Sequence, residues 1–173
     1  CMPPYHAGGL SIIYRSILLS KLFYILDNFD ANEVIELIEK SKVSIISLVP
    51  TMLLRILDLM EKNNQNAPDD FNFILCGGAK VPEELISRAK KVNIKVLPTY
   101  GMTEASSQIA TANPNDINRP KNSVGKILDG IEIKFSKSKE IQIKGPNIAK
   151  YLNNKKKKKR QKNKKRRKES SKH

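Results

Sequence analysis

Residues 94–108 read IKVLPTYGMTEASSQ: an aliphatic, β-prone run over 94–98 that delivers a tyrosine, a glycine, a threonine and a carboxylate in quick succession. In parallel α/β sheets the loops leaving the carboxyl ends of the strands face bound molecules. A strand at 94–98 ending on these side chains therefore predicts one edge of a ligand crevice.

The flanking sequence fits such a sheet. VSIISLV, 43–49, is a continuous, β-branched run of the kind buried on both faces of a parallel sheet, and FNFILC, 71–76, predicts the next strand. Between them Pro50 or Thr51 opens the helix TMLLRILDLMEK, and Pro82 starts PEELISRAKK with Glu83 and Glu84 near its positive end. Upstream, Asp30 with Glu33 forms a capping-box pattern, which predicts a helix over about 31–41. GGLSIIYRSILL, 8–19, reads as a buried helix, and LFYIL, 22–26, as a short strand. The alternation predicts an α/β fold with a parallel sheet and flanking helices over residues 1–118. From 119 to 152 the pattern changes to antiparallel hairpins, with Asp129-Gly130 and Ser136–Lys139 as turns.

A chain of 173 residues with 39% hydrophobic residues can build one domain of ordinary size. Its formal charge of +15 suggests a polyanion binder until it is divided. Residues 151–173 hold 13 Lys and Arg against one Glu, so +12 lies there and only +3 in the remainder. Cys1 and Cys76 make no framework, and with His6 and His173 the only histidines there is no metal-ligand spacing. A reducing, cytoplasmic setting is expected. The longest apolar runs fall well short of the roughly 20 residues that span a bilayer.

Two loops carry the chemistry. In CGGAK, 76–80, Gly77 and Gly78 let a backbone approach a flat ligand closely. In TYGMTE, 99–104, Tyr100 offers a ring to a base, Gly101 a tight turn, Thr103 a hydroxyl to a phosphate, and Glu104 a hard oxygen to Mg²⁺. That set suits a magnesium nucleotide; the plainer alternative is a turn in which Thr103 and Glu104 begin a helix. Neither a GxSxG elbow nor a GxxxxGK[ST] loop occurs.

YGMTEASSQ resembles the signature of the adenylate-forming acyl-CoA synthetases, the AMP-binding superfamily. CGGAKVP resembles that family's adenine-side loop, PPYHAGGLS its entry to the acyl pocket, and EIQIKGPNIAKYL, 140–152, the motif closing its large domain. Within the family, PPYHAGGLSIIYR, SLVPTML, GGAKVP and GMTEASSQ most resemble the branch that ligates o-succinylbenzoate to CoA in menaquinone biosynthesis.

The resemblance implies a two-step reaction: a carboxylate attacks the α-phosphate of ATP to give an acyl-adenylate, and CoA then displaces AMP. Gly77, Gly78, Ala79, Tyr100, Gly101, Met102 and Thr103 would form the nucleotide site, with Thr103 on the α-phosphate and Glu104 on Mg²⁺. His6 would stand where acyl group and phosphate meet, and Arg15 and Gln108 on the substrate side. Arg15 would take the second carboxylate of a dicarboxylic acid, the alternative being a solvated arginine at the helix edge. For His6 the alternative is a loop residue packed on a helix start.

The departures matter equally. The family's Gly-rich phosphate loop, its ribose-binding aspartate and its smaller C-terminal domain are not in the sequence, whose last Asp is Asp129; Lys150 stands where a glycine is usual. The expectation is a central fragment, inactive alone. Residues 153–173 hold no apolar side chain and are expected to be disordered. They read as a polyanion-binding arm or, since their residues share adenine-rich codons, as A-rich DNA translated out of frame. The rival to a ligase is accordingly a basic nucleic-acid-binding protein on an α/β scaffold.

Overall fold

The computed structural model describes residues 2–40, 42–116 and 118–149. The expectations for the basic tail lie outside the described residues. Three helix–strand alternations form as the sequence dictates. Helix α2 (Ala31–Glu39) starts on Asp30, whose side chain accepts from the Glu33 N–H at 3.0 Å, satisfying one of the first turn's orphan donors. Strand β1 (Ile45–Leu48) leads into α3 (Pro50–Lys62), where Pro50 sits at a first-turn position that needs no donor. Strand β2 (Phe73–Cys76), α4 (Glu83–Lys91) and β3 (Val96–Met102) complete the series.

β1, β2 and β3 pair in parallel, in that order. Successive right-handed crossovers stepping in one direction place their helices on one face. Accordingly Ile46 and Leu48, Ile74 and Cys76, and Val96, alternate residues of the three strands, share one core with Val34, Ile38, Leu53, Ile56, Leu57 and Met60 of α2 and α3. Arg88 ties α4 to α3 through Asp58 and Glu61 at 2.7 and 2.6 Å, and these partners hold its guanidinium firmly protonated. The other face carries a small cluster of Leu75, Leu97 and Ala112. β1 is thus not buried on both faces as expected. Ile45 is half exposed, because none of these helices covers that side.

Strand β3 does not end at Pro98. It continues to Met102, leaves β2 behind, and pairs antiparallel with β4 (Ser107–Thr111), which in turn pairs with β5 (Lys126–Ile127). One five-stranded sheet therefore begins parallel and finishes antiparallel. The hairpin β6 (Glu132–Phe135) and β7 (Ile141–Lys144) stands as a separate ladder closed by the Ser136–Lys139 turn. The expected hairpin at Asp129-Gly130 is not one. Gly130 adopts φ +79°, but the turn joins β5 to β6, strands of different sheets.

Two further expectations are corrected near the start. α1 (Ala7–Leu18) forms, yet Gly9 is its one buried residue, and Leu18 is 81% exposed. Its contacts go mainly to β4, and Tyr14, Ile17 and Leu18 are largely exposed. LFYIL forms no strand, and Leu22 is 91% exposed; β-propensity without an adjacent edge to pair on does not make a strand. Among the described residues no helix is long and apolar enough to cross a membrane.

Candidate functional site

The parallel strands point their carboxyl ends at one side of the sheet, and both chemistry-bearing loops lie there. β2 ends at Cys76, opposite Pro98 of β3, so Gly77 and Thr99 become neighbours. They touch closely: a Cβ on Gly77 would lie 2.8 Å from Thr99 Cγ2 and 3.1 Å from its carbonyl oxygen. Gly77 also donates to Leu48 O at 3.1 Å, which pins the loop to the end of β1. Gly78 then turns at φ +81°, a conformation L side chains rarely adopt, leaving Gly78, Ala79 and Lys80 exposed at the rim. Cys76 is buried, and burial pushes its thiol up to about 12, so it is an inert packing group.

On the neighbouring strand Tyr100 is half-buried, and a register shift follows it. Tyr100 opposes Ala110 while Gly101 opposes Gln108, so the buried Ile109 bulges with no residue opposite. Gly101 permits this crossing, since a Cβ there would meet Ser107 O at 1.9 Å. Thr103–Ala105 then form a single 3-10 turn, closed by Ser106 and Ser107 at φ 51° and 114°. The helix start weighed as the plainer alternative is thus one short turn. Thr103 is exposed and Glu104 half-buried.

That strained turn is held from outside by residues the sequence reading did not single out. Asn147 Nδ2 donates to Ala105 O at 2.9 Å and to Gln108 O at 3.2 Å, Ser106 Oγ donates to Asn147 O at 2.9 Å, and Ala149 N–H donates to Glu104 O at 2.8 Å. Asn147 Oδ1 is buried without a hydrogen-bond partner in the structure. The one available signal was the Gly-Pro-Asn stretch itself, in which an amide follows a turn pair.

A second brace joins α4 to the 119–123 loop. Arg119 Nη2 meets both oxygens of Glu83 at 3.1 Å, and the Asn122 N–H donates to the same carboxylate at 2.6 Å. Burial pushes the Glu83 carboxyl up, but the Asn122 and Arg119 hydrogen bonds outweigh it and leave the group below its ordinary value. Glu83 lies five residues beyond Gly78, so this brace fixes the helix that carries the glycine loop.

The substrate-side candidates are partly gathered. Arg15, on α1, donates through Nη1 to Gln108 Oε1 at 3.1 Å and through Nε to Ser11 O at 3.2 Å. Its burial lowers the guanidinium pKa. Gln108 Nε2 in turn donates to Thr99 Oγ1 and Thr111 Oγ1 at 3.0 and 3.2 Å. Arg15, Gln108 and the strand entering the tyrosine loop are therefore one network, and Arg15 is no freely solvated edge residue. His6 is exposed and caps α1, its Nδ1 accepting from the Gly8 N–H at 3.2 Å. No group of three or more His, Cys, Asp and Glu that could cage a metal occurs among the described residues. A depression of about 500 Å³, lined by Asn66, Asp69, Lys90 and Asn93 among others, follows the ends of α3 and α4, away from this chemistry.

Comparison with known proteins agrees with this geometry. The AMP-binding enzyme family matches residues 1–151. The 2-succinylbenzoate–CoA ligase of Lactococcus lactis subsp. lactis is 37% identical over 160 residues, covering 89% of this chain and 34% of that protein. The Oceanobacillus iheyensis ligase of the same name is 35% identical over 156 residues, covering 86% and 32%. The o-succinylbenzoate coenzyme A synthetase of Bacillus subtilis, solved in complex with ATP and magnesium ion, superposes with a TM-score of 0.77 at 30% identity, covering 90% of this chain and 34% of that one. A long-chain-fatty-acid–CoA ligase from Archaeoglobus fulgidus shares the fold, with a TM-score of 0.81 at 22% identity, covering 91% and 36%. The chain spans about a third of the length of the curated relatives it matches. By its fold, its paired loops and the match over residues 1–151, this chain belongs to the AMP-binding enzyme family.

Proposed function

We propose that these residues are the central portion of an ATP-dependent acid–CoA ligase that activates o-succinylbenzoate as an acyl-adenylate and passes it to CoA in menaquinone biosynthesis. The observation that carries this reading is the meeting of Gly77 with Thr99 at the carboxyl ends of β2 and β3, which sets the two loops side by side. The similarity to 2-succinylbenzoate–CoA ligases supports the choice of acid.

In this reading Gly77, Gly78 and Ala79 line one side of an adenine slot and Tyr100, Gly101 and Met102 the other. Thr103 donates its hydroxyl to the α-phosphate, and Glu104 supplies one oxygen to a magnesium ion. A lone carboxylate suits that ion, which keeps several waters and takes its other ligands from the nucleotide's phosphates. Bound there, magnesium would neutralise phosphate charge as the carboxylate attacks. The chain's own work is positioning: the bulge at Gly101 and the Asn147 clamp hold Thr103 and Glu104 in one geometry before any ligand arrives. His6 and Gln108 are assigned to the acyl side with Arg15. Residues 1–118 serve as the partial nucleotide domain and 119–152 as a partial barrel segment, in the cytoplasm. CoA and the acid are the small-molecule partners, and no specific nucleic acid is assigned.

Replacing the matching segment of the Bacillus subtilis synthetase with residues 2–149 tests the proposal. The chimera is expected to release AMP in an o-succinylbenzoate-dependent manner and to bind a sulfamoyl mimic of the acyl-adenylate calorimetrically. A chimera with native circular dichroism that does neither would refute it.

A further inference from the structure

Arg15 is a half-buried cation whose partner is an amide. Among the described residues no carboxylate lies within ion-pair distance of it; its hydrogen bonds go to Ser11 O and Gln108 Oε1. A partly desolvated guanidinium is ordinarily matched with an acid, because an unmatched charge in low dielectric is costly. Here the protein orients the charge and does not cancel it.

The orientation is enforced by hydroxyl bookkeeping. Thr99 Oγ1 lies 3.0 Å from Ala110 O and 2.9 Å from Thr111 Oγ1, so its single proton is committed within this group and its lone pairs face Gln108. The NH₂ end of Gln108, at 3.0 and 3.2 Å, gives each of these oxygens a donor. The carbonyl end must then face Arg15. A flipped amide would set NH₂ against the guanidinium and leave both threonine oxygens without their donor.

From this we infer that Gln108 is a specificity-determining positioning residue. It fixes Arg15 through a neutral acceptor, so the guanidinium keeps its full charge for the second carboxylate of an aromatic dicarboxylic acid. The inference rests on the proposed assignment of Arg15 to the acid. It adds that the uncharged state of residue 108 sets the preference for two carboxylates over one. Glutamate at this position would keep the shape and the hydrogen bond but supply the anion internally.

The test uses the 173-residue chain, ¹⁵N-labelled, titrated with o-succinylbenzoate and with 4-oxo-4-phenylbutanoate, which lacks the ring carboxylate. The readout is the shift of the β4 amides Gln108–Thr111, so ions gathered by the basic tail do not register. Wild type should prefer the dicarboxylate by about tenfold, the factor one charge-assisted pair carries. Arg15→Ala and Gln108→Glu should both bring the ratio near one. Gln108→Leu, which removes the anchor without supplying a charge, should fall between. A merely structural role predicts the reverse order, with the isosteric glutamate milder than leucine, and that result overturns the inference. So does a Gln108→Glu chain that keeps the preference while Arg15→Ala loses it. No preference in wild type, no response of these amides to either acid, or a preference that survives Arg15→Ala instead removes the assignment of Arg15, and the inference with it.

Discussion

Substituting Gly101 by alanine should open the join between the two halves of the sheet. A Cβ built there lies 1.9 Å from Ser107 O, 2.6 Å from Ser107 C and 3.1 Å from Gln108 Cα, all backbone atoms that no rotamer change can move. Real Cβ contacts essentially never fall under 3.0 Å, so β3 and β4 must part by at least 1.1 Å at this point. Backbone hydrogen bonds near ~2.9 Å stretched by that amount are lost. If about two such bonds are lost beside the bulge, at about 1–2 kcal/mol for each group left unpaired the cost is about 2–4 kcal/mol. Against a typical stability of about 5–15 kcal/mol this is large. With a urea dependence of about 2 kcal/mol per molar, the unfolding midpoint should drop by roughly 1–2 M. Gly78→Ala is the control. Its φ of +81° strains alanine, but the nearest atom, Val49 Cγ1, is 3.3 Å away and can yield, so about 1 kcal/mol is expected. Equal midpoints for Gly101→Ala and wild type, or a larger loss at Gly78, would refute the reasoning.

Two other outcomes follow from the braces. Because Glu83 binds its proton less tightly folded than unfolded, the stability it lends is complete above the unfolded value of ~4.3 and disappears as pH falls through the lower native one. Thermal melts of wild type and Arg119→Ala should therefore differ at pH 7 and converge in acid; a constant difference would exclude this linkage. Asn147→Ala removes the donors to Ala105 O and Gln108 O, so amide exchange over 103–108 should quicken by about tenfold while α3 stays protected. Unchanged exchange in that turn would show that the clamp is idle.

The helical parts of the fold were legible because their signals are local. Asp30 with Glu33 and Pro50 each specify a helix start through bonds within one turn, and the structure places α2 and α3 there. The apolar runs at 43–49 and 71–76 could be read as parallel strands because helices separate them. The antiparallel continuation was not legible. SSQIAT carries no alternation, and its pairing with β3 is created by the bulge at Gly101, a property of two segments at once. LFYIL failed for the complementary reason: propensity names a strand but cannot supply its partner. Asp129-Gly130 named a turn correctly and its sheet wrongly, since turn chemistry is blind to what the flanking residues pair with. At the site, Gly77 and Tyr100 were visible through residue type. Asn147, roughly forty residues away from the turn it holds, had no local pattern to betray it.

The exposed leucines at and after the end of α1 give the chain a colloidal character. Leu18, Leu19 and Leu22 face water on a body of charge +3, while +12 sits in residues 151–173, which is the charge layout of a cationic surfactant. In dilute buffer mutual repulsion keeps such molecules apart. Above about 0.1 M salt, where the screening length shrinks to ~10 Å, that repulsion fades and the leucines associate. Sulfate, which strengthens apolar association further, should cloud the solution at lower ionic strength than chloride.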